Sequence, residues 1–317
     1  MNTFNDEKIV DLQQEQEQEQ EQEQEQEQAQ ALLPFHYRCK VSYNGTHYQG
    51  WQIQSGSPLG EAKTIQGEIN SALSKLCQER EVYTLGASRT DAGVHSLGQI
   101  FRASIPLDLP ISAMTKGLNS FLPPEIRILS AEKCDRGFHP RYAAKWKEYV
   151  YLFTIDRSDE NLLASPFVHN LVAAYPYAYE SIKLQAMMDA TKLFVGHHDF
   201  VNFYCEGSAF KSTKREILRT EMAKVTAPLS SCLLVPAAEC WMIRVIGRGF
   251  LKQMIRLIVG AIWNVGRGRV ALVEIANALG GARAGSDPKL GVVAPACGLY
   301  LKQIGFSEFA DGAKFSA

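Results

Sequence analysis

The sequence lacks a long hydrophobic run, a basic and apolar leader and any Cys-x-x-Cys pair. The longest apolar candidate, Leu257 to Trp263, directly follows Arg256 and is far shorter than the roughly 20 residues of a membrane-spanning helix. The first ten residues have a net negative charge, with Asp6 and Glu7 against Lys8, and they do not begin with a basic stretch followed by an apolar one as a secretory signal peptide does. We therefore expect a soluble, cytoplasmic protein that makes no membrane contact.

Metal and disulfide chemistry have little support in the sequence. Seven cysteines lie far apart, which indicates reduced thiols that mostly pack in the interior. His197, His198 and Asp199 are potential ligands, but no second group with ligand spacing accompanies them. We interpret these three residues as a loop that caps a following strand, and we predict no metal site.

Charge is divided unevenly along the chain. The net charge is -1, but residues 1–33 hold ten acidic residues and one lysine, a net -9, so the remainder carries +8. Seven Glu-Gln repeats fill residues 15–28 without an apolar residue, so we expect a disordered acidic tail. The charge of the remainder suits a polyanion, although many proteins of this charge bind no nucleic acid.

Hydrophobic periodicity in the first half predicts a β-α-β-β-α-β order, the split βαβ of ferredoxin-like folds. Apolar residues alternate from Phe35 to Tyr43 and recur at helical spacing from Ile65 to Leu76 behind an N-cap at Thr64. Further strands are predicted at 82–87, 99–105 and 126–133, with a helix around 111–118. The loop with His139 and Arg141 follows.

The second half repeats this plan loosely. Strands are predicted at 147–154, 216–225, 241–247 and 299–304, and helices at 182–193, 250–263 and 270–279. We therefore predict an α+β protein of two ferredoxin-like lobes, 34–137 and 138–308, sharing a mostly antiparallel sheet with a central basic cleft. Residues 1–33 and 309–317 are predicted to be tails.

The polar loop from Ala87 to His95, set between two apolar strands, is the sharpest local feature. The sequence Thr-Asp-Ala-Gly favours a turn, because the Asp side chain can form a hydrogen bond with the nearby backbone and Gly can adopt a positive φ. The same loop gathers a carboxylate, a guanidinium and an imidazole, which a cleft could tune for catalysis. From these residues alone, an ordinary turn remains the simpler interpretation.

The loop resembles the catalytic loop of the tRNA pseudouridine synthase A family, Gly-Arg-Thr-Asp-Ala-Gly-Val-His. Two departures are Ser88 in place of the usual Gly and Cys297 in place of a commonly acidic residue. Ordered blocks extend the resemblance from Tyr43 to Leu301: Tyr43-Asn44-Gly45-Thr46, Gly50-Trp51-Gln52, Thr64-Ile65-Gln66-Gly67, Phe138-His139-Pro140-Arg141, Tyr149-Val150-Tyr151, Thr213-Lys214-Arg215-Glu216-Ile217, Gly249-Phe250-Leu251, Met254-Ile255-Arg256, Val259-Gly260 and Gly298-Leu299-Tyr300-Leu301.

The resemblance implies a role for each site residue and implies no cofactor. Asp91 is the catalytic carboxylate, acting on the sugar as nucleophile or base. Arg89 takes the space of a flipped-out nucleotide, Tyr149 stacks on the uracil, and Leu299 forms an apolar wall. Arg256 lies beside Asp91 and holds it ionised. The ordinary alternatives are a surface arginine for Arg89 and core packing for Tyr149 and Leu299.

Four further cations are predicted to contact RNA: Lys214, Arg215, Arg248 and Lys252. Lys252 and Arg256 are four residues apart, so they would share one face of the predicted helix 250–263. On the predicted strand 147–154, Lys147 would share a face with Tyr149.

The predicted function is conversion of uridine to pseudouridine in tRNA. The resemblance implies positions 38, 39 and 40 of the anticodon stem-loop, and a homodimer in which one tRNA touches both subunits. The main alternative is a non-catalytic RNA-binding module of ferredoxin-like lobes. A sugar-bond hydrolase would need a second acid/base carboxylate, which no motif supplies.

Deleting residues 1–33 should leave kcat nearly unchanged, because the repeat offers nothing apolar to pack against the body. Affinity for tRNA should rise slightly at low salt, since an acidic tether competes for basic surface. Steady-state kinetics and tRNA binding at two salt concentrations measure both effects. A large loss of kcat in a folded deletion variant would show that the tail takes part in catalysis.

Overall fold

The computed structural model of the protein describes residues 33–53, 63–155, 168–177, 182–205, 212–225, 240–281, 290 and 292–310. The predicted tails 1–33 and 309–317 lie almost wholly outside these residues. No helix among the described residues is long and apolar enough to cross a membrane.

A single mixed sheet with ten strands organises the described chain, and helices pack against it. The strands are β1 Phe35–Tyr43, β2 Tyr83–Gly86, β3 His95–Ile105, β4 Ile126–Lys133, β5 Trp146–Thr154, β6 Ala173–Ala174, β7 Gly196–Asp199, β8 Lys214–Lys224, β9 Cys240–Gly247 and β10 Leu299–Gly305. The helices are α1 Ile65–Leu76, α2 Leu118–Phe121 after a π-helical turn at Ala113–Gly117, α3 Pro140–Ala143, α4 Leu184–Leu193, α5 Met254–Gly266 and α6 Leu272–Leu279. This confirms the predicted α+β class.

The two halves of the sheet have the same strand order. In the first half the order is β4-β1-β3-β2, and in the second it is β10-β5-β9-β8, with all of these neighbours antiparallel. The halves join where β10 pairs in parallel with the start of β3, Tyr300 opposite His95. The predicted mostly antiparallel sheet is therefore confirmed, and one edge of β3 is shared by β2 and β10.

Each half has its own hydrophobic core on the helical side. The predicted alternation of β1 is confirmed, because Tyr37, Cys39, Val41 and Tyr43 are buried and pack near α1. In the second half, the very apolar α5 packs with alternate side chains of the central strand β5. Both faces of β5 are buried along most of its length.

Several predicted boundaries were wrong. The segment with His197, His198 and Asp199 is strand β7 itself, because it pairs with β8 along the sheet edge. The predicted helix 250–263 begins only at Met254, since Gln253 has a positive φ of 57° and interrupts it. Strand β3 begins at His95 rather than at residue 99. The segment after His139 is the short helix α3 rather than a loop.

The turn after β1 holds the loop that contains Asp91. Trp51 N donates to Thr90 O at 3.0 Å, and Gly93 N donates to Tyr48 O at 3.1 Å. Gly50 has a φ of +97°, and a Cβ there would lie 2.5 Å from Thr90 O. The glycine therefore permits a backbone approach that a side chain would block.

Replacing Gly50 by Ala should destabilise the protein by about 1–3 kcal/mol, because it adds both strain and a clash at the loop. Gly137→Ala is the matched control: Gly137 is exposed and a Cβ there meets nothing within 4 Å. Its effect should stay within about 0.5 kcal/mol. Urea unfolding measures both variants, and equal stabilities would show that the close approach at Gly50 is unimportant.

Candidate active site

Asp91 and Arg256 meet across the join between the halves. Arg256 Nη1 lies 3.8 Å from Asp91 Oδ2, and the two side chains are 14% and 27% exposed. Arg256 lies in the first turn of α5, where its Nε donates to Ala294 O at 2.6 Å. Ala294 N in turn donates to Arg256 O at 3.1 Å, so the guanidinium is anchored before any ligand arrives.

Burial controls the electrostatics of this pair. Loss of water raises the pKa of Asp91, and the charges of Arg256 and then Lys252 oppose the rise without cancelling it. The expected effect of Arg256, to favour the ionised form of Asp91, is therefore present, but burial outweighs it. Arg256 limits the increase in the pKa, while desolvation decides its direction.

Lys252 is not on the helix that carries Arg256. It is exposed in the turn before α5, and Gln253 separates it from the first helical residue. The prediction of a shared helix face was therefore wrong. Lys252 still acts on Asp91 through its charge.

Tyr149 projects from β5 into the same region. Its ring packs edge-on against Phe250, with ring centroids 5.2 Å apart, and its hydroxyl lies 2.9 Å from Ser88 Oγ. Burial raises the pKa of Tyr149 to about 12, Ser88 opposes this shift through its hydrogen bond, and the charge of Asp91 adds to it. Tyr149 is therefore neutral at physiological pH and electrostatically coupled to the carboxylate.

Ser88 adopts no unusual backbone conformation. It is absent from the positive-φ residues of the described chain, so serine causes no strain at a position where the resembled family usually has glycine. Leu299 is 5% exposed at the start of β10, where it pairs with Tyr151, while Leu301 pairs with Tyr149. Leu299 is thus one strand away from the tyrosine, in the core shared by both.

The other predicted cations are more dispersed. Arg89 is exposed two residues before Asp91, and Lys214 is exposed at the start of β8. Arg215 donates to the carbonyls of Ser212 and Lys214. Arg248 Nε lies 2.7 Å from Glu216 Oε2, and its Nη1 lies 3.4 Å from Glu308 Oε2. Arg248 therefore already has carboxylate partners.

His95 has a structural role in the loop. Its Nδ1 accepts from Gly45 N at 3.1 Å, so its Nε2 carries the proton and donates to Cys297 O at 3.1 Å. Burial lowers the pKa of His95 to about 4, which keeps the ring neutral. The imidazole thus connects the turn after β1 to the segment that enters β10.

Two polar groups near Asp91 and Tyr149 were not among the predicted site residues. Cys205 Sγ lies 2.8 Å from Gln253 Oε1, and the charges of Lys252, Asp91 and Arg256 all act on the pKa of its thiol. Lys147 Nζ donates to Ala87 O at 2.7 Å, at the entry to the Asp91 loop. Alternation on the strand did place Lys147 on the face of Tyr149, whereas no sequence signal pointed to Cys205.

Metal ligands do not gather in the described part of the chain, where no group of three or more His, Cys, Asp or Glu side chains could hold an ion. The six cysteines within that part are free thiols, and Cys232 lies outside it.

Comparison with known proteins identifies the family. The family model described as tRNA pseudouridine synthase matches residues 40–143 and 190–307. The chain belongs to this family. Its members include the tRNA pseudouridine synthase A of Bacillus pumilus, 35% identical over 84% of this chain and 97% of that protein. The tRNA pseudouridine synthase A 2 of Desulfotalea psychrophila is 36% identical over 85% of this chain and 98% of that protein.

The predicted family resemblance is thereby confirmed, and the protein is an isomerase that acts on uridine in tRNA. A solved H/ACA RNP bound to a substrate RNA aligns at 10% identity over 83% of this synthase and 46% of that chain. Its TM-score of 0.30 is too low to inform the fold.

Arg256→Leu should lower kcat of the synthase by about tenfold or more, equivalent to about 1.4 kcal/mol or more in barrier. Without the guanidinium, burial acts on Asp91 with less opposition, so its pKa rises further. The loss of activity on acidification should then begin at a higher pH, because more of the carboxylate is protonated. The pH dependence of kcat and kcat/KM measures this shift.

Lys252→Leu is the comparison variant. It should mainly weaken tRNA binding and reduce the salt slope by about one, while kcat changes less than in Arg256→Leu. If both variants changed only salt-dependent affinity, Arg256 would belong to the phosphate-contacting surface instead.

Proposed function

We propose that this synthase uses Asp91 as its catalytic carboxylate to isomerise uridine at positions 38, 39 and 40 of the tRNA anticodon stem-loop. The observation that carries the proposal is the Asp91–Arg256 pair, which lies in the matched family region at the meeting of the two halves. A partly desolvated carboxylate with a fixed cationic neighbour is suited to attack on, or proton removal from, a sugar.

The reaction demands more than a carboxylate. The N-glycosidic bond must break, the base must rotate, and C5 must join the sugar before the C5 proton is lost. An enclosed base reattaches in an effectively intramolecular step. Tyr149 would stack on the uracil, with Leu299 as an apolar wall, and their nearly complete burial supports a dry pocket floor. No cofactor is required by these steps.

RNA binding would use the basic surface around this pocket. Arg89 is exposed beside Asp91, so it is placed to enter a base stack after the target nucleotide flips out. Lys252 and Lys214 are exposed and Arg215 is partly exposed, as phosphate contacts require. Arg248 is the weakest of the proposed contacts, since RNA would have to compete with Glu216 and Glu308.

The architecture proposed for this activity is two ferredoxin-like lobes, 34–137 and 138–308, with a basic cleft between them. The repeated antiparallel order β4-β1-β3-β2 and β10-β5-β9-β8 supports it. We also propose a homodimer in the cytoplasm, in which one tRNA contacts both subunits.

Two alternative functions, RNA binding without catalysis and hydrolysis of the glycosidic bond, are less well supported by the site. A non-catalytic RNA-binding module would not need the anchored Arg256 beside a partly buried carboxylate. A hydrolase would need a second acid/base carboxylate, whereas the charged groups acting on the Asp91 pKa in the described chain are Arg256 and Lys252.

Asp91→Asn should abolish measurable activity, because an amide is a poor nucleophile and a poor base. Asparagine keeps the size and the turn-forming ability of aspartate, so the fold should persist. Binding of tRNA should survive, since phosphate contacts supply most of the affinity. Thermal unfolding, tRNA affinity and tritium release from C5-labelled uridine should be measured on one preparation.

Asp189→Asn, on the surface of α4 beside Lys192, is the control and should behave as the parent does. Turnover of Asp91→Asn within about tenfold of the parent would mean a barrier change of only about 1.4 kcal/mol. That result would remove Asp91 as the essential catalyst and favour the RNA-binding function.

A further inference from the structure

A chain of three polar groups lies behind the Tyr149 hydroxyl. Lys147 and Tyr149 are two residues apart on β5, so they project from the same face. Ser88 Oγ is 2.9 Å from Tyr149 OH, and Lys147 Nζ is 3.4 Å from Ser88 Oγ. The 2.7 Å bond from Lys147 Nζ to Ala87 O fixes the amine at the end of this chain.

Two of the three groups are shielded from water, and Lys147 is partly exposed. Tyr149 is 6% and Ser88 is 7% exposed, and the strand neighbours of Lys147 are Ile304 and Gly247, which carry no charge. Proton transfer between enclosed groups follows their hydrogen bonds rather than bulk solvent. The serine hydroxyl can accept and donate a proton at once, so it can link the phenol to the amine.

The charges around the chain favour an amine that changes protonation near neutrality. Burial, followed by the charge of Arg141, lowers the pKa of Lys147 to about 8. Tyr149 keeps its proton, because burial and the charge of Asp91 raise its pKa to about 12 against the opposing bond from Ser88. A neutral tyrosine cannot accept another proton, so it needs a partner before it can act as a base.

We propose that Ser88 and Lys147 form a proton relay that removes the phenolic proton of Tyr149, so that the phenolate can take the C5 proton of the rejoined uracil. The relay rests on the proposed function and adds two positioning residues to it. Neither residue contacts the base; each acts through Tyr149.

The proton transfers balance. The neutral amine of Lys147 takes the hydroxyl proton of Ser88, Ser88 takes the proton of Tyr149, and the phenolate then takes the proton from C5. The C5–H electron pair forms the C5=C6 double bond, and the electrons of the former N1=C6 bond move to N1, which takes a proton from water. The Lys147 ammonium returns one proton to solvent, so no oxidant or reductant is required.

The Ser88 hydroxyl is the middle of the relay. Serine supplies a hydroxyl at a position where the tRNA pseudouridine synthase A family usually has glycine. Ser88→Ala would remove the hydroxyl and keep only the Cβ as a methyl group, which can neither donate nor accept a proton. Ser88→Gly would leave room for a water to bridge Lys147 and Tyr149. The two substitutions therefore separate loss of the link from its replacement by solvent.

The test is the pH dependence of single-turnover C5 tritium release, with parent protein at saturating tRNA. The parent rate should rise up to a pH of about 8, near the pKa of Lys147, and then level. Lys147→Met keeps the length of the side chain without the amine; it should lose this rise and react about 100-fold more slowly at its plateau. The rate of tritium release should fall about tenfold or more in Ser88→Ala. It should fall less in Ser88→Gly, where a water can bridge the two groups.

Ser104→Ala is the matched control, because it also removes a buried hydroxyl. The Ser104 hydroxyl forms a 3.0 Å hydrogen bond with His36 Nδ1 and takes no part in the relay. Its rates and pH profile should equal those of the parent, whatever its stability. Tyr149→Phe combined with Lys147→Met should be no slower than Tyr149→Phe alone, since the groups act as one unit.

The outcomes separate the relay from the activity on which it rests. A parental pH profile in folded Lys147→Met, or Ser88→Ala as fast as the parent, overturns the relay while an inactive Asp91→Asn still supports the proposed function. Absence of tritium release from the parent overturns the proposed function itself.

Discussion

The Asp91 carboxylate loses part of its hydration at the meeting of two half-sheets, and the Arg256 guanidinium offsets part of that cost from 3.8 Å away. The two residues belong to different halves of the chain. Their approach depends on the parallel pairing of β3 with β10, which brings the Asp91 loop beside the start of α5. A shift in that pairing would separate the charges, so the join of the halves and the site are one structural feature.

Hydrogen bonds from side chains to backbone atoms hold this arrangement in place. His95 bonds the turn at Gly45 on one side and the carbonyl of Cys297 on the other. The segment before β10 is also held by the second half, because Tyr151 OH donates to Pro295 O at 2.8 Å and Arg256 Nε donates to Ala294 O. Preorganisation of this kind lets fixed charges act on the reaction without reorganising during it.

Much of the fold was predictable, because alternation and helical periodicity are strong where one face is buried. The strand from Phe35 to Tyr43 and helix α1 have the bounds that their patterns predicted. Where local signals compete with tertiary contacts, prediction failed. His197 to Asp199 is polar enough for a loop, yet pairing with β8 makes it a strand. The left-handed Gln253 delays the start of a helix whose pattern in the sequence already begins at Phe250.

The candidate site was predictable mainly through resemblance. The residues alone left the Asp91 loop as an ordinary turn, because nothing local shows that Arg256, some 165 positions later in the chain, comes to lie beside it. The sign of the Asp91 pKa shift depends on burial, which no motif records. The link from Lys147 through Ser88 to Tyr149 needs distances between two elements, so it emerges only from the folded chain.

The central claim is that Asp91 catalyses the isomerisation of uridine. The alternatives are that the protein only binds RNA or that it hydrolyses the glycosidic bond. The most direct measurement incubates an unmodified tRNA transcript with the parent protein or, in parallel, with Asp91→Asn. Pseudouridine is mapped at single-nucleotide resolution, and free uracil is quantified in the same reactions. Asp91-dependent isomerisation predicts that the parent forms pseudouridine at positions 38, 39 or 40 with an intact RNA chain and no free uracil, and that Asp91→Asn forms none. An unmodified transcript that is nevertheless bound, or release of uracil without pseudouridine, would contradict it.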